Sequence, residues 1–226
     1  MSSEIYKAFT FVSISSEEDY ETSQKFIDKL PIPIKKIIVV TIKDGETKEV
    51  KCLDPFVKVH TYGYKEFSFS EARNYAKSLC ETEWVISIDM DEEFHYNQDD
   101  LKRIFKAPEE VCGFFTPIMN FSSDGALIKP HIGLRIFRKQ FDWRYFVHED
   151  ISTDILEKGY KISHTPITLR HFGYDNNNSK KYYSKLERNY LLCTKDCYKN
   201  PELKYIRSNM NRITNDMRRW ENDNEE

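Results

Sequence analysis

The chain has no long apolar run and no regular cysteine pattern. No apolar stretch in its 226 residues approaches the roughly 20 residues that a membrane-spanning helix needs. The first residues, MSSEIYKAFTF, lack the basic and then apolar order of a secretory signal. The five cysteines are odd in number, and no two of them form a C-x-x-C pair. This usage predicts reduced thiols in a cytoplasmic protein without a disulfide framework.

Charge of one sign is not in excess either. Lys and Arg number 34 and Asp and Glu number 37, so the net charge is −3. No global basic bias requires a nucleic acid partner, and no acidic bias predicts disorder. The length fits one large domain or one domain with a small appendage, and the 14% of aromatic residues can fill a sizeable core.

The first half of the chain alternates apolar strands with helical patterns. Ser15 and Glu18 have the spacing of a capping box, and Ser70 can cap a second helix. Continuous apolar strands between helices predict a parallel sheet that is covered on both faces. The predicted strands are 9–14, 37–42, 57–60 and 84–88.

The second half of the chain changes character. Strands are predicted at 111–120 and 132–138, joined by a turn at 122–125 as an antiparallel hairpin, and two shorter ones at 160–163 and 167–171. From Lys180 the pattern is helical, and Pro201 is expected to open a final helix. We therefore expect one domain over residues 1–175 and a helical extension over 176–226 that packs on or beside it.

Four carboxylates in five positions follow the predicted strand 84–88. They are Asp89, Asp91, Glu92 and Glu93. Like charges this close repel and raise one another's pKa. A divalent cation would offset that cost, because hard cations prefer oxygen ligands and ligands bind beyond the carboxyl ends of strands in open α/β sheets. The alternative is a solvated acidic turn.

The ordered motifs resemble those of a family 2 glycosyltransferase of the GT-A fold. The segment FSFSEARNYAKSLCETEWVISIDMDEEF (67–94) is similar to the family's A-R-N helix, strand and D-x-D-E cluster. GLRIFRK (133–139) resembles its arginine–phenylalanine strand, and FVHEDI (146–151) its acidic catalytic segment. LRHFGYDNNNSKKYYSKLERN (169–189) is similar to the segment with a histidine and a basic helix. The likeness runs from Phe9 to Asn189.

This resemblance implies a Rossmann-like α/β fold, with a mixed, mostly parallel central sheet between helices. It also implies a metal-dependent, inverting transfer of a sugar from a nucleotide-sugar, expected to be a UDP-sugar, to an acceptor. The acceptor is left open among a glycan, a protein, a lipid-linked sugar and, as a lesser alternative, nucleic acid.

The resemblance also implies which residues bind the cation, Mn²⁺ or Mg²⁺. Asp91 is the expected ligand from its place in D-x-D, while Asp89 binds the metal through water or holds the donor ribose. Glu92 and Glu93 are not expected to bind the metal directly. His171 is expected to contact the diphosphate or the metal, and the alternative for His171 is a hydrogen-bonded structural histidine.

Donor and acceptor contacts follow from the same resemblance. Arg73 could pair with the donor's phosphate or with carboxylates, and Asp44 lies where this fold reads the nucleoside. The usual D-x-G-S-x-D is reduced to DGET (44–47), so the nucleotide cannot be read from it. The base is Glu149 if the segment is aligned on H-E, or Asp150 if it is aligned on E-D. We favour Glu149; alternatively, either acid only caps the next helix.

Two other functions fit parts of the pattern. A nucleotidyltransferase shares the sheet and a carboxylate pair, but residues 13–19 hold no glycine and no Lys or Arg, which its phosphate loop would need. A catalytically inactive module that binds a sugar or a partner is the other alternative. The basic residues after Lys180 could bind an acidic acceptor, although a solvated helix face is the simpler interpretation.

Overall fold

One mixed sheet of ten strands forms the centre of the protein. The computed structural model describes residues 4–20, 28–31, 33–52, 54–122, 124–172 and 180–223. In chain order the strands are β1 (Phe9–Ser16), β2 (Lys35–Lys43), β3 (Lys48–Val50), β4 (Val57–Tyr64), β5 (Trp84–Ser87), β6 (Glu92–His95), β7 (Val111–Asn120), β8 (His131–Arg138), β9 (Lys161–His164) and β10 (Thr168–His171).

Helices flank this sheet. They are α1 (Glu4–Lys7), α2 (Phe69–Ser78), α3 (Gln98–Phe105), α4 (Ser152–Glu157), α5 (Lys180–Lys199) and α6 (Lys204–Asp223). Residues 17–20 are also helical. Within the described ranges, no helix combines the length and the apolar character that crossing a membrane requires.

The strand order is β3-β4-β2-β1-β5-β8-β7-β10-β6, and β9 lies along the first half of β7. The pairs β4–β2, β2–β1 and β1–β5 are parallel, as the first half of the sequence predicted. The β7–β8 hairpin is antiparallel, which confirms that prediction. The α/β class with a mixed, mostly parallel sheet is therefore confirmed.

Hydrophobic cores cover both faces of the sheet, as expected from continuous apolar strands. Side chains alternate between the faces along each strand. On β5, Trp84 and Ile86 enter one core with Phe9 of β1, whereas Val85 enters the opposite core with Val12. A third cluster joins α5 and α6 to residues 146 and 147 of a loop.

Several predicted boundaries were wrong. The cap of α2 is Ser68, whose Oγ accepts from the amide of Glu71, and not Ser70. The helical turn 17–20 is capped by Ser16, which accepts from the amide of Asp19 at 3.1 Å, and not by Ser15. The last helix begins at Lys204, three residues after Pro201. The elements α1, β3, β6 and α3 were missed.

The C-terminal helices pack against the rest of the chain. The described helices α5 and α6 belong to this part, and their cluster includes Phe146 and Val147 of the loop before α4. The expected boundary between 1–175 and 176–226 falls among residues 173–179, outside the described residues. The division into two parts therefore stays a prediction.

Candidate active site

The carboxyl ends of several strands meet at one edge of the sheet. β1, β2 and β5 are parallel. β8 is antiparallel to both β5 and β7, and β10 is parallel to β7, so β7 and β10 run in the same direction as β5. β6 is antiparallel to β10, so it begins at this edge, with Glu92 opposite His171. The acidic turn 89–91 connects β5 to β6 and lies where ligands bind in open α/β sheets.

Asp91 and His171 are brought together at this edge. The Nε2 atom of His171 lies 3.2 Å from Oδ2 of Asp91, and the amide of Phe172 donates to the Asp91 carbonyl at 3.1 Å. The Asp91 side chain remains 43% exposed. Burial lowers the pKa of His171, but the hydrogen bond and charge of Asp91 outweigh it and raise this pKa.

Asn120, the last residue of β7, orients the histidine. Its Nδ2 donates to the carbonyl of Lys129 at 2.7 Å, which leaves Oδ1 to accept from Nδ1 of His171 at 2.9 Å. A histidine that donates one ring N–H to a fixed acceptor presents its other nitrogen outward, as metal-binding histidines do. The side chain of Asn120 is buried, so this orientation is held firmly.

Asp89 is held between two arginines. Its Oδ1 accepts from Arg73 Nη2 and its Oδ2 from Arg135 Nη2, both at 2.8 Å. Burial would raise the pKa of Asp89, but Arg135 and Arg73 outweigh it and hold this pKa well below its usual range. Because both oxygens already carry a guanidinium bond, Asp89 is poorly placed to bind a cation directly.

Glu92 completes this network from the start of β6. Its carboxylate accepts from Arg135 Nη2 at 2.7 Å and from the amide of Asp89 at 2.8 Å, and its side chain is only 2% exposed. Burial raises the pKa of Glu92 to about 7, although Arg135 opposes the increase. Glu93 instead points to Lys29 and His95. Both glutamates are thus bound by other groups of the chain, and the expectation that neither binds the metal directly stays a prediction.

Arg73 joins the acidic turn to the segment that follows residue 143. Besides Asp89 it binds Glu149 Oε1 through Nε at 2.5 Å and Ser87 Oγ through Nη1 at 3.0 Å. Its guanidinium also lies 5.4 Å from the ring centroid of Trp143. Of the two partners expected for Arg73, the structure shows the carboxylates.

Asp150 serves as the cap of α4. Its Oδ1 accepts from the amide and hydroxyl of Ser152, and its Oδ2 from the amide and hydroxyl of Thr153. Burial opposes its ionisation, but these hydrogen bonds outweigh it and lower the pKa of Asp150. The capping alternative raised from the sequence therefore applies to Asp150 and leaves Glu149 as the carboxylate that faces Arg73.

Asp44 lies apart from these residues. It occupies a turn after β2 with φ of 53°, and its amide donates to the carbonyl of Tyr64 at 2.7 Å. In the described part of the chain, no hydrogen bond or ion pair connects Asp44 to the other predicted site residues. Its position at the carboxyl end of β2 places it at the same edge, and its role toward a nucleoside stays a prediction.

The metal-binding groups are few. Among the described residues, no group of three or more His, Cys, Asp and Glu side chains is arranged to hold a metal ion. Asp91 and His171 together offer one oxygen and one nitrogen. A cation that also binds substrate phosphates needs only one or two protein ligands, so this pair fits such a cation.

Two residues of the network were not assigned from the sequence. Arg135 was part of the GLRIFRK strand, but nothing in that pattern indicated that it reaches Asp89 and Glu92. Asn120 ends a long apolar strand, and a lone amide at a strand end could equally belong to a turn. Their roles follow from the strand order, which the sequence does not specify.

Comparisons with known proteins support the fold. No protein-family model matches the chain. No curated protein sequence matches it. The structure of GalNAc-T7 with UDP, GalNAc and Mn²⁺ matches with a TM-score of 0.50 at 14% identity, covering 90% of this chain and 54% of that chain.

Two structures of residues 1–349 of S. aureus TarS also match. The first has a TM-score of 0.41 at 14% identity, and the second, in complex with UDP-GlcNAc, has 0.42 at 12%. Each covers 94% of this chain and 71% of that chain. The present chain spans about half of the matched GalNAc-T7 chain. Its fold is that of the GT-A glycosyltransferases, while membership of family 2 stays a prediction.

Proposed function

We propose that the chain is a divalent-cation-dependent, inverting glycosyltransferase that moves a sugar from a UDP-sugar to an acceptor. The observation that carries this proposal is the contact between Asp91 and His171 at 3.2 Å, at the edge where β5 and β10 end. The GT-A fold adds support, because the matched GalNAc-T7 structure holds UDP, GalNAc and Mn²⁺.

Asp91 and His171 would hold the cation, together with oxygens of the donor diphosphate. Mn²⁺ accepts both carboxylate and imidazole ligands, whereas Mg²⁺ favours oxygen, so the mixed pair favours Mn²⁺. When bound, such a cation acts as a Lewis acid and neutralises charge on the leaving diphosphate. Asp89 is assigned to the arginine network rather than to the cation.

Glu149 is the proposed base. In an inverting transfer the acceptor oxygen forms its bond to the sugar's anomeric carbon while the bond to the diphosphate oxygen breaks. The acceptor hydroxyl loses its proton in that step, and Glu149 takes it. Arg73 holds Oε1 of Glu149 at 2.5 Å, and no bond to Oε2 is found in the described structure. Oε2 is therefore available to the acceptor.

The cation assignment is tested with Asp91→Asn. We expect this variant to lose the Mn²⁺-dependent part of UDP-sugar affinity in calorimetric titrations, because a neutral amide replaces the charged ligand. Asp99→Asn is the matched control, since Asp99 is an exposed carboxylate on α3 that pairs with Lys102. Unchanged Mn²⁺-dependent affinity in Asp91→Asn would contradict the assignment.

The base assignment is tested by comparing two neighbouring variants. Glu149→Gln should lower turnover by about 10²–10⁴-fold with little change in donor affinity, because the base acts only in the transition state. Asp150→Asn should mainly reduce stability through the cap of α4. A near-normal Glu149→Gln together with an inactive Asp150→Asn would move the base by one residue.

The products separate the proposal from a nucleotidyltransferase. When the protein is incubated with a UDP-sugar and Mn²⁺, it should release UDP, and it should do so slowly by hydrolysis even without an acceptor. A nucleotidyltransferase would instead release pyrophosphate from UTP and a sugar phosphate, and it would release no UDP from UDP-sugars.

A further inference from the structure

The segment before Glu149 has an unusual backbone. Tyr145 and His148 both have positive φ, at 74° and 53°. For residues other than glycine such conformations are strained and persist only where the surrounding structure imposes them. Because Glu149 directly follows His148, the contacts that impose these backbone angles also set the direction of the Glu149 side chain.

A buried carboxylate on α5 binds this segment. Asp196 is 1% exposed, and its oxygens accept from the amide of Phe146 at 2.9 Å and from the amide of Val147 at 3.1 Å. These two amides lie between the two residues with positive φ. The carboxylate of Asp196 therefore binds the backbone at the centre of the strained segment.

The position of Asp196 is otherwise unfavourable. It lies in the last turn of α5 (Lys180–Lys199), where the helix dipole disfavours negative charge. Burial of an ionised carboxylate also costs free energy unless hydrogen bonds satisfy it. The amides of Phe146 and Val147 offset part of these costs, as does the nearby charge of Lys199, although burial still keeps the pKa of Asp196 raised.

Apolar packing and a backbone hydrogen bond also hold the same segment. Phe146 and Val147 lie in one cluster with Leu186 of α5 and Ile213 of α6. The carbonyl of Phe146 accepts from the amide of Phe69, the first residue of α2, at 3.0 Å. Four residues along α2 is Arg73, the partner of Glu149.

We propose that Asp196 is a positioning residue, which fixes the segment 145–148 so that the carboxylate of Glu149 meets Arg73. This proposal rests on the proposed function, in which Glu149 is the base. Asp196 does not reach the reacting atoms itself. Its effect passes through Phe146 and Val147 to the backbone at His148, and from there to Glu149.

The test is Asp196→Asn. Asparagine has the same shape and removes a buried charge from a helix end that disfavours it, so the variant should fold. The asparagine side chain can accept hydrogen bonds only through Oδ1. Its NH₂ group would face a backbone amide of residue 146 or 147, which is also a donor, so one hydrogen bond would be lost. Because misplacement of a catalytic group by about 1 Å can cost about 100-fold, we expect turnover to fall at least about tenfold with donor KM unchanged.

The matched control is Asp100→Asn. Asp100 is also buried and accepts from the amide of Asn97, but it belongs to the capping box of α3, away from Glu149. Its substitution should change melting temperature without changing turnover. A purely structural role for Asp196 would make the two variants behave alike.

A double-mutant cycle makes the test specific. If Asp196 acts through Glu149, adding Asp196→Asn to Glu149→Gln should cause no further loss of turnover. Additive losses, or an equal effect on donor KM, would overturn the proposal. If Asp196→Asn does not fold, Asp196→Ser keeps one hydroxyl acceptor and takes its place in the cycle.

Amide hydrogen exchange gives a readout that does not depend on activity. Exchange at Phe146 and Val147 should be faster in Asp196→Asn than in the unmodified chain or in Asp100→Asn. Unchanged exchange would refute the anchoring step. If the unmodified chain released no UDP from any UDP-sugar, the proposed function would fail, while the exchange data would still decide whether Asp196 holds the segment.

Discussion

Substitution of Arg73 by methionine should destabilise the fold strongly. Arg73 is 7% exposed and binds three partners, Asp89, Glu149 and Ser87. Removing one partner of a buried ion pair costs about 3–5 kcal/mol, because the remaining charge is left buried and unpaired. Asp89 keeps Arg135, so only Glu149 and Ser87 lose their partner. The lower end, about 3 kcal/mol, is therefore expected.

The assay is thermal and urea unfolding of Arg73→Met. For a chain of this length, about 1 kcal/mol shifts the melting temperature by about 2–4 °C, so the expected decrease is about 6–12 °C. Arg103→Met is the matched control: its side chain is 76% exposed, and its nitrogen lies 3.8 Å from Asp100. That substitution should change stability by less than about 0.5 kcal/mol.

A double-mutant cycle of Arg73→Met with Glu149→Gln tests whether the lost stability comes from the unpaired Glu149. When both charges are removed, the double variant should be more stable than the sum of the single losses predicts, with a coupling of about 1–3 kcal/mol. A loss below about 1 kcal/mol in Arg73→Met, or a coupling near zero, would refute the reasoning, because Glu149 would then not depend on Arg73.

Two further predictions concern stability. Burial opposes ionisation of Asp154, but bonds from Lys158, Asp142 and Arg144 hold its pKa at about 2. Its ionised form thus stabilises the fold by about 2 kcal/mol above pH about 4, and this contribution is lost as the pH falls through about 2. In Asp154→Asn, the free energy of unfolding should therefore depend less on pH in that range. Ser68→Ala should cost about 1 kcal/mol as loss of the α2 cap, measured by urea unfolding. Ser70→Ala should cost less, because its hydroxyl contacts that of Ser68 and caps no amide.

The elements predicted correctly are those with long apolar runs. β1, β2 and β7 each bury most of their residues, and hydrophobic pattern identifies such strands. β3 is wholly exposed and β6 begins with two glutamates, so neither has an apolar signature. α3 was missed although its capping box, Asn97 with Asp100, is visible in the sequence.

The candidate site was only partly accessible from the sequence. Resemblance selected Asp91, His171, Arg73 and Glu149, but the contacts between them span 80 and 76 positions of the chain and depend on strand order. The role of Asp196 was hidden for a different reason. It stands in a helix rich in basic residues that was interpreted as a solvated face, and only the packing of α5 against residues 146 and 147 shows that its carboxylate is buried.

The pairing of β6 bears on the order in which the protein folds. Among the described strands β6 pairs with β10 alone, although it follows β5 by only a few residues, and β10 lies 76 positions further on. Contacts that close such long loops form late, since loop entropy is lost before they contribute. The parallel half of the sheet can form from residues before 88, so we expect the acidic turn 89–91 to become ordered only when β10 pairs with β6. We therefore expect the proposed cation site to assemble only as the sheet is completed, because Asp91 and His171 meet through the pairing of β6 with β10.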